Sequence, residues 1–283
     1  MTINDLISNA SYELLDAGIS TSNLDAQVLL KYALDVTDTW LIKHQNHPIT
    51  NSEYSRFRRY IRKRKRGIPV AYIVHEKEFY GLEFYLNENV LIPRPETEHL
   101  VDEALDVVKN RKRRDKIFSI IDIGTGSGAI IISILKASSY NLSAKFYGVD
   151  ISKKALAVAR KNAKLHKVNK KIRFFNSDLF SNKRLPKKFD LIIANLPYVP
   201  SSNVKNLPDP GVSLDGGEDG LNIIYKFLDQ AKDRINIEGT ILMEIGFNQS
   251  KKVIAYAKKL FPKTKILAIK DLQSIERIIK IET

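Results

Sequence analysis

The segment of residues 120–129, Ile-Ile-Asp-Ile-Gly-Thr-Gly-Ser-Gly-Ala, constrains the possible folds more than any other part of the chain. An apolar run passes into alternating glycines and then into a second apolar run, a pattern typical of a strand, a tight turn and a helix. Glycines let a backbone approach a ligand closely, and the first turn of a helix offers free N–H groups. The pattern therefore predicts an α/β fold with a ligand-binding loop. The residues expected in this loop are Gly124, Thr125, Gly126, Ser127 and Gly128.

Apolar runs and helical patterns alternate along the rest of the chain. Seven strands are predicted, at 117–123, 145–149, 172–175, 189–194, 240–245, 265–269 and 276–281. Helical patterns lie between the first five, which indicates a mainly parallel sheet covered on both faces. The last two strands are joined by a short connection, so we expect an antiparallel hairpin at one end of the sheet.

The beginning of the chain has a different pattern, because residues 1–66 show helical spacing of apolar residues without strand-like alternation. Residues 70–92 are β-like, and the proline-containing segment 93–98 suits the start of a helix. We therefore expect a small helical bundle at 1–68, a β-hairpin linker at 69–94 and a main domain at 95–283.

Basic residues are in excess, since 46 Lys and Arg against 32 Asp and Glu give a net charge of +14. Such an excess indicates anionic partners or surroundings and does not select a fold. Within 56–66, eight of eleven residues are Lys or Arg. This run is either a solvated helix face or a surface for RNA or an RNA-bound partner.

Several classes of protein are disfavoured by composition. The chain has no cysteine, which excludes disulfides, thiolate catalysis and Cys-ligated metals. Its five histidines lack the spacing of a metal-ligand set, so no metal is expected. The first residues have no basic leader, and no apolar run reaches the roughly 18–20 residues that span a bilayer. We expect a soluble cytoplasmic protein that does not enter a membrane.

Acidic and apolar residues stand where the second and third strands end, the edge at which open α/β sheets bind ligands. The carboxylate of Asp150 can accept hydrogen bonds from both hydroxyls of a ribose, and Leu179 can contact an adenine ring. Asp178 offers a polar contact beside it. Helix capping and core packing are the alternative roles for these residues.

The fourth strand ends in Asn195-Leu196-Pro197-Tyr198, without a Ser/His pair or paired carboxylates for hydrolysis. A planar NH2 group has two donors. The side-chain oxygen of Asn195 can accept one and the carbonyl of Leu196 the other, while Tyr198 can stack on the flat group. The segment therefore predicts a binding site that holds a planar NH2 group facing an electrophile. The alternative is a turn that ends the strand and is capped by Asn195.

These four residues resemble the N-P-P-Y signature of methyltransferases that act on planar nitrogen. The wider chain resembles the release-factor glutamine N5-methyltransferase family. The resemblance rests on matching stretches in the family's order, at 67–73, 91–98, 122–128, 177–180, 195–198 and 214–221. The Ile-Pro-Arg-Pro-Glu-Thr-Glu segment ending at Glu98 and the Asp-Gly-Gly-Glu-Asp-Gly-Leu loop ending at Leu221 are more specific than the glycine loop.

The resemblance implies a Rossmann-like, seven-stranded class I methyltransferase domain that uses S-adenosylmethionine. It implies methylation of the glutamine in the Gly-Gly-Gln motif of peptide chain release factors, the proteins of translation termination, with the helical region recognising them. The cofactor contacts carried over are Gly124 to Gly128, Asp150, Leu179 and Asn195. The segment Asn195 to Tyr198 would hold the glutamine, with Asn195, Pro197 and Tyr198 as the catalytic residues.

Two positions depart from the family pattern. Leu196 replaces the first proline of the signature, but its carbonyl acceptor remains. Leu179 stands where some relatives have tryptophan, which weakens stacking on adenine. Neither departure removes a polar group that the chemistry needs.

Three other functions fit parts of the sequence. Methylation of a nucleic-acid amino group such as adenine N6 would use the same signature and suit the positive charge. The glycine loop also fits G-x-G-x-x-A of nicotinamide-dependent oxidoreductases. The basic run alone would suit a non-enzymatic RNA-binding protein.

Overall fold

The computed structural model describes residues 2–111, 117–138, 143–205, 207 and 209–283. The chain divides into two compact units, Met1–Glu76 and Lys77–Thr283. No helix among the described residues is both long and apolar enough to cross a bilayer.

The first unit is helical, as predicted. Its helices are α1 (Ile3–Asp16), α2 (Ser22–Leu34), α3 (Asp38–Lys43), α4 (Asn51–Lys65) and α5 (Val70–Val74). Reciprocal capping boxes start α1, through Thr2 and Asp5, and α4, through Thr50 and Glu53. The apolar faces of these helices meet in one core, which includes the fully buried Leu14, Leu29, Leu30, Phe57 and Ile61.

A short hairpin follows, made of β1 (Glu76–Phe79) and β2 (Leu82–Tyr85). Its turn holds Tyr80 at φ 53° and Gly81 at φ 69°, the left-handed pair that a two-residue hairpin of type I′ requires. The hairpin falls almost wholly in the larger unit. The division into 1–68, 69–94 and 95–283 stays a prediction.

The larger unit contains the seven predicted strands in one sheet. They are β3 (Phe118–Ile123), β4 (Ala144–Asp150), β5 (Ile172–Asn176), β6 (Phe189–Ala194), β7 (Ile235–Glu244), β8 (Lys265–Lys270) and β9 (Glu276–Glu282). The order is β5-β4-β3-β6-β7-β9-β8. The pairs from β5 to β7 are parallel, while β9 is antiparallel to both β7 and β8, so the predicted hairpin at one end is confirmed.

Helices precede or connect most of these strands, but the helix predicted between β5 and β6 is absent, and turns occupy the described residues 177–188 instead. The helices are α6 (Glu98–Lys109), which follows a 3-10 turn at Pro95–Thr97, then α7 (Ala129–Ala137), α8 (Lys153–Leu165), α9 (Ser201–Val204), α10 (Asn222–Ala231) and α11 (Ser250–Leu260). Strand order reverses direction beside β3, between β4 and β6. At such a point the connections leave on opposite faces and open a crevice at the carboxyl ends of the strands. The fold thus places the ends of β3, β4 and β6 around one crevice.

Candidate active site

A cavity of 530 Å³ occupies this crevice and is lined by residues of the larger unit. Most of the residues predicted from sequence line it together. They are Gly124, Thr125, Gly126, Ser127, Asp150, Leu179, Asn195, Leu196 and Pro197. Two predicted residues, Gly128 and Tyr198, lie outside the lining.

The glycine loop wraps the end of β3. Gly124, Gly126 and Gly128 have φ values of 76°, 53° and 80°, a region that residues with a Cβ avoid. A Cβ on Gly124 would lie 3.2 Å from the side chain of Leu196 and 3.3 Å from the carbonyl of Asn195. The absence of a side chain at Gly124 therefore lets the loop pack closely against the residues that end β6. Gly128 serves packing as well, because its Cβ would meet Ile132 at 3.0 Å.

Asp150 ties the loop to β4. Its two carboxylate oxygens accept from the amides of Gly126 at 2.9 Å and Ser152 at 2.8 Å. Burial raises the pKa of Asp150. Each oxygen accepts one amide and keeps lone pairs for a further donor. Asp150 can therefore both hold the loop and accept from ligand hydroxyls in the cavity.

Leu179 lies in a strained conformation at the wall of the cavity. Its φ of 48° is left-handed, which costs a residue with a Cβ about 1–3 kcal/mol. The side chain is buried and lines the cavity. Beside it, Asp178 accepts from Lys226 at 2.6 Å. Leu179 can therefore make the predicted apolar contact, whereas Asp178 forms an ion pair with Lys226.

Asn195 stands at the carboxyl end of β6, and its orientation is fixed by hydrogen bonds. Its Nδ2 donates to Glu244 Oε2 at 3.0 Å and to Thr97 Oγ1 at 3.2 Å. A carboxylate can only accept, so the NH2 end of the amide must face Glu244. The other end, Oδ1, is thereby left as the acceptor that Asn195 can offer within the cavity.

Tyr198 lies behind this amide. Its hydroxyl donates to Glu244 Oε1 at 3.1 Å. Burial, and then the charge of Glu244, raise the pKa of Tyr198, so the phenol stays protonated. Stacking of Tyr198 on a substrate amide stays a prediction, because the ring is not part of the cavity wall.

Glu244, which sequence reasoning missed, joins the two residues. It ends β7, is 4% exposed and accepts from both Asn195 and Tyr198. Burial is the main cause that raises the pKa of Glu244, opposed by hydrogen bonds from Thr97 and Tyr198. The only signal in the sequence was one acid at the end of an apolar strand, Ile-Leu-Met-Glu.

The two most specific segments of the sequence hold this arrangement. In the first, Thr97 accepts from Asn195, and Arg94 forms an ion pair with the buried Asp209. Asp209 also accepts from the amide of Ile92 at 3.0 Å, which links the segment 91–98 to the loop before α10. Pro208, the residue before Asp209, lies outside the described residues.

The second segment, through Gly220, and the neighbouring side chain of Gln249 pack against the backbone of the signature. Gln249 donates to the carbonyl of Tyr198 at 3.0 Å and accepts from the amide of Gly246 at 2.8 Å. Gly220 lies so close that a Cβ on it would be 2.2 Å from the carbonyl oxygen of Tyr198. Only glycine fits at this position without moving the backbone of Tyr198.

Comparisons with known proteins agree with this geometry. A family model described as "PrmC N-terminal domain" matches residues 5–74, and one described as "Methyltransferase domain" matches residues 114–278. The release factor glutamine methyltransferase of Bacillus subtilis is 34% identical over 98% of this chain and 96% of its own length. The chain belongs to the release factor glutamine methyltransferase family. This confirms the resemblance found in the sequence.

Other members of the family are similarly related. The enzyme of Rhodopirellula baltica is 34% identical over 94% of this chain and 90% of its own length. The enzyme of Bradyrhizobium diazoefficiens is 35% identical over 85% of this chain and 81% of its own.

Solved structures share the fold of the catalytic unit. A methyltransferase from Pyrococcus furiosus is 17% identical, with a TM-score of 0.50 over 72% of this chain and 90% of that one. The N-terminal domain of human METTL16, solved with SAH, is 16% identical, with a TM-score of 0.50 over 72% and 76%. The predicted class I methyltransferase fold is confirmed, with S-adenosylmethionine as the methyl donor of the family.

The cavity fits this donor. Its wall has an acceptor for hydroxyls in Asp150, an apolar side chain in Leu179 and a loop kept free of side chains at Gly124 and Gly126. Within the described residues, no group of three or more His, Asp and Glu side chains is placed to hold a metal ion.

Proposed function

We propose that this chain transfers the methyl group of S-adenosylmethionine to the side-chain nitrogen, N5, of the glutamine in the Gly-Gly-Gln motif of peptide chain release factors. The proposal rests on the orientation of the Asn195 carboxamide, whose Nδ2 donates hydrogen bonds to Glu244 and Thr97 and whose oxygen is left as an acceptor. An acceptor at the end of the central strand suits an incoming NH2 group. The carbonyl of Leu196, the next residue along the chain, supplies the second acceptor.

When bound, S-adenosylmethionine supplies an electrophilic methyl group; a C–N bond to the amide replaces the C–S bond, and the nitrogen releases its proton to water. The nitrogen is a poor nucleophile because its lone pair is delocalised. Two accepted hydrogen bonds strengthen as positive charge builds on nitrogen, each contributing on the order of 3 kcal/mol by analogy with oxyanion holes. Holding the amide in line contributes roughly 7–11 kcal/mol more.

The direct test of this proposal is transfer of isotope-labelled methyl groups. Release factor, DNA and RNA are each incubated with the chain and labelled S-adenosylmethionine. We expect label on release factor only, and peptide mass spectrometry should place one methyl group on the glutamine of Gly-Gly-Gln. Label on adenine of DNA or RNA, with none on release factor, would establish the nucleic-acid alternative instead.

The basic helix α4 is part of the proposed recognition of release factors by the N-terminal unit. Some of its charges serve the fold: Arg58 pairs with Glu13, and Arg64 pairs with Asp25 at 2.7 Å. Three exposed arginines recur at helical spacing on the outer side, namely Arg59, Arg62 and Arg66. Among the described residues, no acidic side chain forms an ion pair with these three.

Reversing these three charges should weaken the encounter with release factor. We expect the Arg59→Glu/Arg62→Glu/Arg66→Glu variant to raise KM for release factor about 10-fold, with a smaller effect at high salt, because exposed charges act mainly on association. The measurement is steady-state kinetics across salt concentrations, with cofactor affinity measured separately.

The matched control reverses three exposed lysines of α11, Lys251, Lys258 and Lys259. This control has the same change in net charge and should leave KM unchanged. If both variants raise KM equally, the effect is one of net charge, and α4 is a solvated face. Proximity to ribosomal RNA and a cytoplasmic location stay predictions.

A further inference from the structure

A buried carboxylate behind the signature has no role in the reaction described so far. Glu244 is 4% exposed and lies behind Asn195, outside the residues that line the cavity. Burying a charge costs free energy unless it is well hydrogen-bonded. Both oxygens of Glu244 accept from residues of the signature, Asn195 and Tyr198. Its partners are thus the two side chains that the reaction depends on.

The carboxylate decides which end of the Asn195 amide faces the cavity. An amide can turn over with little steric change, since its oxygen and nitrogen are nearly the same size. The two orientations differ only in their partners. With a carboxylate at 3.0 Å, the nitrogen must face Glu244, whereas a hydroxyl donor there would attract the oxygen instead.

Thr97 is compatible with this orientation. Its hydroxyl accepts from Asn195 Nδ2 at 3.2 Å and also hydrogen-bonds to Glu244. A hydroxyl that donates to the carboxylate leaves its lone pairs for the amide. Tyr198 donates to the other carboxylate oxygen, so the network has one consistent direction, in which Asn195, Thr97 and Tyr198 all donate to Glu244.

We infer that Glu244 is a positioning residue, which holds the Asn195 carboxamide with its oxygen toward the substrate and the Tyr198 ring behind it. This inference rests on the proposed function, because the oriented oxygen is the acceptor for the glutamine NH2. Glu244 must be ionised to act in this way. A protonated Glu244 donates a hydrogen bond and accommodates the opposite orientation of the amide.

The surroundings of Glu244 determine the pH at which this happens. Burial is the largest effect and raises the pKa of Glu244. The charge of Glu96 also raises it, while hydrogen bonds from Thr97 and Tyr198 and the charge of Arg277 lower it. Activity that needs the ionised form should therefore rise with pH through a pKa above that of an ordinary glutamate.

Two variants test the inference. Glu244→Leu removes both acceptors, and we expect kcat to fall about 10- to 100-fold, by analogy with the loss of an outer hydrogen-bond partner of a metal ligand. The affinity for S-adenosylmethionine should not change, because Glu244 lies outside the cavity wall. In Glu244→Gln, the side-chain oxygen can still accept from Asn195, so much of kcat should return, without the acidic limb of the pH profile.

The matched control is Glu103→Leu, which removes a half-buried glutamate that accepts from Lys280 at 3.1 Å. It should leave kcat and its pH profile unchanged. Should Glu244→Leu not fold, the pH profile of Glu244→Gln carries the test alone. Wild-type kcat in Glu244→Leu, or an unchanged acidic limb in Glu244→Gln, would overturn the inference. A wild-type chain that does not methylate release factor would instead refute the proposed function.

Discussion

Replacing Asn195 with alanine should lower kcat for release factor about 100-fold or more while leaving most of the affinity for S-adenosylmethionine. The reason is that the substitution removes the side-chain acceptor for the substrate NH2, and one such hydrogen bond contributes about 2.7–4 kcal/mol to a transition state. The cavity wall keeps its other parts, Asp150, Leu179 and the glycine loop. Single-turnover kinetics and calorimetric titration with the methyl donor separate the two effects.

A matched control for this variant is Asn236→Ala. Asn236 donates to Asp190 at 2.7 Å near the start of β7, at the end of the strands opposite to the cavity. Its loss removes an amide of the same size from a hydrogen bond to a carboxylate. We expect a lower melting temperature and an unchanged kcat. Near-normal turnover in Asn195→Ala would show that the glutamine is held by other groups.

Replacing Gly220 with alanine should be as damaging, although Gly220 contacts neither reactant in this account. The new Cβ would lie 2.2 Å from the carbonyl oxygen of Tyr198 and 2.8 Å from Gln249 Nε2. Relief of this overlap requires a shift of about 1 Å in the backbone that follows Asn195. A displacement of this size in a reacting site costs about 100-fold in rate, so kcat should fall by that order.

The strain of alanine at φ 76° must be separated from the overlap, since the left-handed conformation alone costs a residue with a Cβ about 1–2 kcal/mol of stability. Gly81→Ala provides this control, because Gly81 has φ 69° and no neighbouring atom within 4 Å of its new Cβ. We expect both variants to lose similar stability from strain, and only Gly220→Ala to lose activity. Equal kcat in the two would contradict the close packing of Gly220 on Tyr198.

The strands of the sheet could be predicted from the sequence, because local residue patterns largely determine strands and helices. Six of the strand predictions match the structure to within about two residues, as expected for boundaries. The prediction for β7 began at Thr240, whereas the strand begins at Ile235. Glu238 at φ 63° followed by Gly239 interrupts the pattern and hid the first half of that strand.

The residues of the candidate site could be predicted from the sequence only in part. The cavity wall could be predicted because parallel strands end at one edge, so Gly124, Asp150 and Asn195 follow from the topology. The partners of Asn195 could not, since Thr97 and Glu244 are 98 and 49 residues away along the chain. Nothing in the local pattern around either residue specifies a hydrogen bond across that distance.

The same limit applies to the basic helix. Sequence showed the run of positive charge in α4 but not which charges would be neutralised by Glu13 and Asp25, residues of other helices. The structure divides the run into charges that hold the helices together and charges on the outer side. Only the second group is available for recognition.

We propose that an acceptor pair at the end of β6 holds a flat NH2 group opposite the methyl donor. A crystal structure with S-adenosylhomocysteine and a Gly-Gly-Gln peptide measures this directly. We expect the glutamine nitrogen at about 3 Å from both Asn195 Oδ1 and the carbonyl oxygen of Leu196. A glutamine bound with Asn195 Oδ1 turned toward Glu244, or with its nitrogen directed away from the sulfur, would contradict the account.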